Sequence, residues 1–78
     1  MIKAGSKVKF VRMPLWVTDL PAESQRVFEF CLGRTYCVEG IDSRGLVVLD
    51  VSGDVDKRFG GKMNDIRLEA EFLEETQN

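Results

Sequence analysis

The chain has 78 residues, of which 44% are hydrophobic and 31% charged, with eleven Lys and Arg against thirteen Asp and Glu for a net charge of −2. That is enough chain for one domain with a small core, and the hydrophobic share excludes a disordered polymer. The charge balance excludes a strong basic field, so nucleic acid is not the default partner.

The charge is uneven along the sequence. Residues 1–38 carry six basic and three acidic side chains, and residues 39–78 carry five basic and ten acidic ones. There is no histidine. The commonest general base and metal ligand are therefore missing, and Ser-His-Asp or Cys-His chemistry cannot be built from this chain alone. Cys31 and Cys37 are too few for a disulfide scaffold and are not spaced as C-x-x-C, so both are expected as buried, reduced thiols. No cofactor and no metal site is expected. No apolar signal region follows Met1, and no apolar run approaches the roughly 18 residues of a membrane span. The expectation is a cytoplasmic chain without membrane contact.

In chain order, residues 7–13 alternate as a strand, with Val8 and Phe10 inward and Lys7 and Lys9 outward, and Pro14 ends it. A loop with Leu15, Trp16 and Val17 follows. A helix is expected over 21–32, with Pro21 at its first position, Glu23 in its first turn and Gly33 just past its end. Val27 and Cys31, and Phe28 and Leu32, are i,i+4 pairs on its apolar stripe. Residues 34–41 read as the second strand, and Asp42 to Gly45 as a tight turn with Gly45 at positive φ. Residues 46–51 are apolar at nearly every position, which predicts a third strand covered on both faces. The helix is the expected cover for Leu46 and Val48. Residues 52–62 are polar and read as an extended hairpin or loop. Strands over 63–68 and 72–74 complete the domain, with a short helical turn allowed between them.

The expected fold class is mainly β: a small five-stranded bent barrel with one short α-helix inserted between strands 1 and 2. The element order resembles the Src-homology-3-like barrel. Gly5-Ser6-Lys7-Val8-Lys9-Phe10 and Asn64-Asp65-Ile66-Arg67-Leu68-Glu69 are similar to segments that open and close small barrels of bacterial accessory proteins, including the photosystem accessory subunit and KOW-type ribosome-associated domains. The Ala-Leu-Tyr-Asp-Tyr motif of true Src-homology-3 domains is missing, as is their tryptophan after the second loop, so proline-rich peptide recognition does not carry over. The resemblance implies an accessory or interaction module of a bacterial protein.

Leu15 and Trp16 are the first candidate binding residues. A loop tryptophan is either an interface anchor or a plug for one end of the barrel. Lys57, Arg58, Phe59 and Lys62, around Gly60-Gly61, form the second group; such a loop could hold a phosphate or stack on a base. Gly61-Lys62-Met63 is not a Walker motif. Lys7, Lys9 and Arg12 read as a protected strand face. Glu69, Glu71, Glu74 and Glu75 read as a solvated face or as a docking surface for a basic protein. Arg34, Tyr36 and Asp50 are candidates to converge on a pocket. These features predict a non-catalytic protein-interaction or accessory module, with a KOW-like nucleic-acid-binding module using residues 57–62 as the alternative.

Overall fold

Lys7, Val8, Lys9 and Phe10 alternate between solvent and core, the period-two pattern of a strand with one buried face, and form β1 (Lys7–Phe10). The computed structural model describes residues 1–59 and 65–76. β1 ends three residues before 13, where the regular ladder stops. The Phe10 N–H donates to the Arg34 carbonyl and the Gly33 N–H to the Phe10 carbonyl, and beyond that point the N–H groups of Val11 and Arg12 both turn to one acceptor, the Phe72 carbonyl. A 3₁₀ turn (Leu15–Asp19) and α1 (Ala22–Cys31) follow. Pro21 is the residue before α1 rather than its first residue: its backbone is extended, and its carbonyl accepts the first helical bond, from Gln25. Val27, Phe28 and Cys31 form the buried stripe.

Gly33 stops the helix at φ 87°. A Cβ there would meet nothing within 4 Å, so the constraint is conformational rather than steric. Gly33→Ala is expected to destabilise the domain by about 1 kcal/mol, the cost of a left-handed L-residue, as read from urea midpoints at unchanged slope.

β2 (Thr35–Ile41) pairs antiparallel with β1, Val8 facing Tyr36. A bulge between Val38 and Gly40 shifts its register against β3 (Val47–Asp50). The turn joining them has Gly45 at φ 84°, and the Asp42 carboxylate accepts the N–H groups of Arg44 and Leu46. β3 is buried at Val47, Val48 and Leu49, so both of its faces are covered as its composition indicates. The face that α1 covers is the other one, however. Side chains alternate along a strand, and Val47 and Leu49 share the core with Val27, Phe28 and Cys31. Val48 points to the opposite side and lies outside that core, and Leu46 is only partly buried.

The larger correction concerns residues 52–59, which form a second helix, α2 (Ser52–Phe59), in place of a hairpin or loop. Asp50 starts it by accepting the Ser52 N–H at 3.1 Å and the Ser52 hydroxyl at 2.7 Å. Val51 and Val55, one turn apart, are both fully buried. Lys57 and Arg58 occupy the last turn, where positive charge complements the helix dipole.

β4 (Asp65–Leu68) pairs with β3, a second 3₁₀ turn (Ala70–Phe72) follows, and β5 (Leu73–Glu75) returns to pair with β1. The result is one antiparallel sheet in the order β4-β3-β2-β1-β5. Among the described residues no ladder joins β4 to β5, so the hydrogen bonding leaves the sheet open. The core lies on its α1 side, around Val8, Phe10, Val38, Leu49 and Leu68. No helix among the described residues is long and apolar enough to cross a membrane.

Candidate interaction site

Pro14 is fully buried and leads directly into the Leu15–Asp19 turn. The turn is held at several points. Val17 is buried in the core, and its N–H donates to the Pro14 carbonyl. The Thr18 hydroxyl donates to the Leu15 carbonyl at 2.9 Å, and the Gln25 amide, from α1, donates to the carbonyls of Thr18 and Leu20. This fixed turn presents two apolar side chains in different ways. Leu15 is 89% exposed. Trp16 is partly buried, its indole N–H donating to Glu69 Oε1 at 3.0 Å and its ring meeting Phe28 edge-to-face at 5.6 Å. Phe28 in turn meets Phe10 at 6.3 Å, which links Trp16 to the centre of the core.

Trp16 has two sets of neighbours. It packs against the core, and it also lines an open cleft of about 290 Å³ together with Leu20, Ser24 and Phe28 on one side and Asp65, Ile66 and Arg67 on the other. Leu20, Ser24 and Phe28 lie four residues apart, a stripe readable in the sequence across the start of α1. The opposite wall and Glu69 come from about 50 residues further along, and no local pattern announces them.

Arg67 is held from two sides. Its guanidinium lies 3.4 Å from Asp42 and 3.6 Å from Asp65. Asp42, only 11% exposed, also lies 3.9 Å from Arg44. The Leu46 N–H, the Arg44 N–H and Arg67 hold its carboxyl below the usual aspartate range, against the opposing effect of desolvation. A carboxyl lowered by folding contributes stability that is complete above its unfolded pKa and is lost as pH falls through the folded one. Wild type is therefore expected to lose stability below about pH 4, and Asp42→Asn to show a shallower decline there, in urea titrations at stepped pH.

A second open cleft, of about 220 Å³, is lined by Thr35, Tyr36, Cys37, Asp50, Val51 and Gly53. It unites Tyr36 and Asp50, as their candidacy suggested, but not Arg34, whose guanidinium stacks 4.1 Å from the Phe30 ring centre. Asp50 is held below the usual carboxylate range by the Ser52 hydroxyl and N–H. Cys31 is buried, but Cys37 is exposed, because it alternates with the buried Tyr36 and Val38 and falls on the solvent face of β2. Among the described residues neither cysteine is part of a disulfide.

The second candidate group changes character. Lys57 and Arg58 are exposed on a helix rather than in a glycine loop. The Phe59 side chain and Lys62, with Gly60 and Gly61, lie outside the described residues. Among the described residues, the Trp16 cleft draws nothing from α2, and no three His, Cys, Asp or Glu side chains are grouped to hold a metal. In comparison with known proteins, the chain matches no family model, no curated protein and no solved structure.

Proposed function

We propose that the protein is a non-catalytic interaction or accessory module, a bent barrel of Src-homology-3-like kind that meets a partner protein through Leu15 and the cleft beside Trp16. The barrel reading is supported by the strand order, which places β5 beside β1, and by the 3₁₀ turn that precedes β5. The carrying observation is the fixed Leu15–Asp19 turn. It holds a leucine at 89% exposure next to an aromatic-walled cleft. Five hydrogen bonds on the Pro14, Leu15, Val17, Thr18 and Leu20 carbonyls order it, so presenting Leu15 to a partner sacrifices little conformational freedom on binding. Absence of histidine and the structural engagement of Asp42 and Asp50 leave little for acid–base chemistry.

A photocrosslinking residue at Leu15, in the native cell, is expected to form an adduct with one protein, identified by mass spectrometry. The same residue at Glu29, exposed on α1, is expected to form none. Equal labelling from both positions, or none from either, contradicts the reading. Adducts with RNA or DNA in place of protein would favour the nucleic-acid alternative.

A further inference from the structure

We propose that the Trp16 cleft accepts an extended, lysine- or arginine-bearing segment of a partner protein, added as a strand along the outer side of β4. This rests on the interaction-module reading and names the chemistry of the partner.

The first support is the way β4 meets the cleft. Asp65, Ile66 and Arg67 all line it. Consecutive strand side chains point to opposite faces, so a cleft lying over one face would be lined by alternate residues. Three in succession place the cleft along the side of the strand. The register agrees. The Asp42 N–H donates to the Leu46 carbonyl, so the Leu46 backbone faces β2, and by alternation Val47 and Leu49 face β4. Their partners there are Leu68 and Ile66. Asp65 and Arg67 therefore direct their backbone groups away from β3, to the side where the sheet ends. Among the described residues no strand pairs with β4 on that side. A groove between a terminal strand and a helix is the geometry in which an extended peptide adds main-chain hydrogen bonds to a sheet.

The second support is charge. Asp65 lines the cleft and Glu69 borders Trp16, with one of its oxygens taken by the indole. Asp19 and Glu23 are exposed and directly precede the cleft residues Leu20 and Ser24. Among the described residues that line or border the cleft, the carboxylates of Asp65 and Glu69 stand against one guanidinium, that of Arg67, which Asp42 and Asp65 already engage. An acidic segment or a nucleic acid would meet repulsion here, whereas a basic one is complementary. The aromatic wall of Trp16 and Phe28 suits the apolar stem of a Lys or Arg side chain and attracts its cationic head.

The test is an amide-shift titration of the ¹⁵N-labelled chain with a short alternating Lys/Val peptide, its Glu/Val counterpart, a Lys/Val peptide N-methylated at alternate residues, and a single-stranded RNA. The Lys/Val peptide is expected to shift the Trp16 indole and the amides of Asp65 and Arg67, and added salt to weaken it. N-methylation should abolish the Asp65 and Arg67 shifts. The double variant Asp65→Asn with Glu69→Gln, which keeps an acceptor for the indole, is expected to weaken binding roughly tenfold at low salt. Equal binding of the Glu/Val peptide or the RNA, undiminished binding of the N-methylated peptide, or shifts along β5 instead of β4 would overturn the proposal. So would silence of all four ligands. If Leu15 still crosslinks a protein in the cell, that silence removes only the basic-strand partner; if it does not, the module reading falls as well.

Discussion

Phe10→Ala is expected to destabilise the domain by about 3–5 kcal/mol, enough to leave much of the chain unfolded at room temperature. Phe10 is fully buried at the end of β1, paired with Leu73 of β5 and in edge-to-face contact with Phe28. Truncation removes the apolar transfer energy and leaves a cavity where β1, β5 and α1 meet. A domain of this size has only roughly 4–12 kcal/mol in total, so the loss is a large fraction of it. The indole contact with Phe28 makes Trp16 a reporter: its emission should move towards that of a solvated indole as the core loosens. A urea midpoint within error of wild type would show that the Phe10–Phe28–Trp16 stack does not organise the core.

Val55→Asp is expected to cost several kcal/mol, because it places a carboxylate at a fully buried position. This substitution separates the two descriptions of residues 52–59. If they were a polar surface loop, as composition suggests, the change would stay within about 0.5 kcal/mol. If they form α2, the loss is large, and Val55→Ala should fall between the two. Chemical denaturation of the three chains side by side decides it.

The sheet was legible because period-two alternation is a strong local signal. Val8 and Phe10, Tyr36 and Val38, and Ile66 and Leu68 are each buried as alternation demands. Turn chemistry was legible at Gly33 and Gly45, both with positive φ. α2 was hidden for a physical reason: Ser52, Gly53, Asp54 and Asp56 are weak helix formers, and tertiary burial of Val51 and Val55 overrides their preference. The remaining local signals, Asp50 two residues before Ser52 and Lys57-Arg58 at the end, are capping and dipole cues that a loop of polar residues can also show. The exposure of Cys37 follows from strand parity rather than residue type. Half of the candidate site was readable as well. Leu15 and Trp16 stand out beside a proline, but Asp65, Arg67 and Glu69 join them only through the return of the chain across the sheet, and Lys57 and Arg58 belong to a separate helix.

Trp16 is the sole tryptophan, so in the folded chain indole fluorescence comes from this one position beside the cleft. The most direct measurement is quenching by caesium and by iodide, each normalised to a free tryptophan amide. A cleft that is open to solvent and rimmed by Asp65 and Glu69 is expected to favour the cation, with the preference fading in high salt and in the Asp65→Asn, Glu69→Gln double variant. Complete shielding from both ions, or iodide quenching as efficient as caesium, would contradict a solvent-facing acidic site at Trp16.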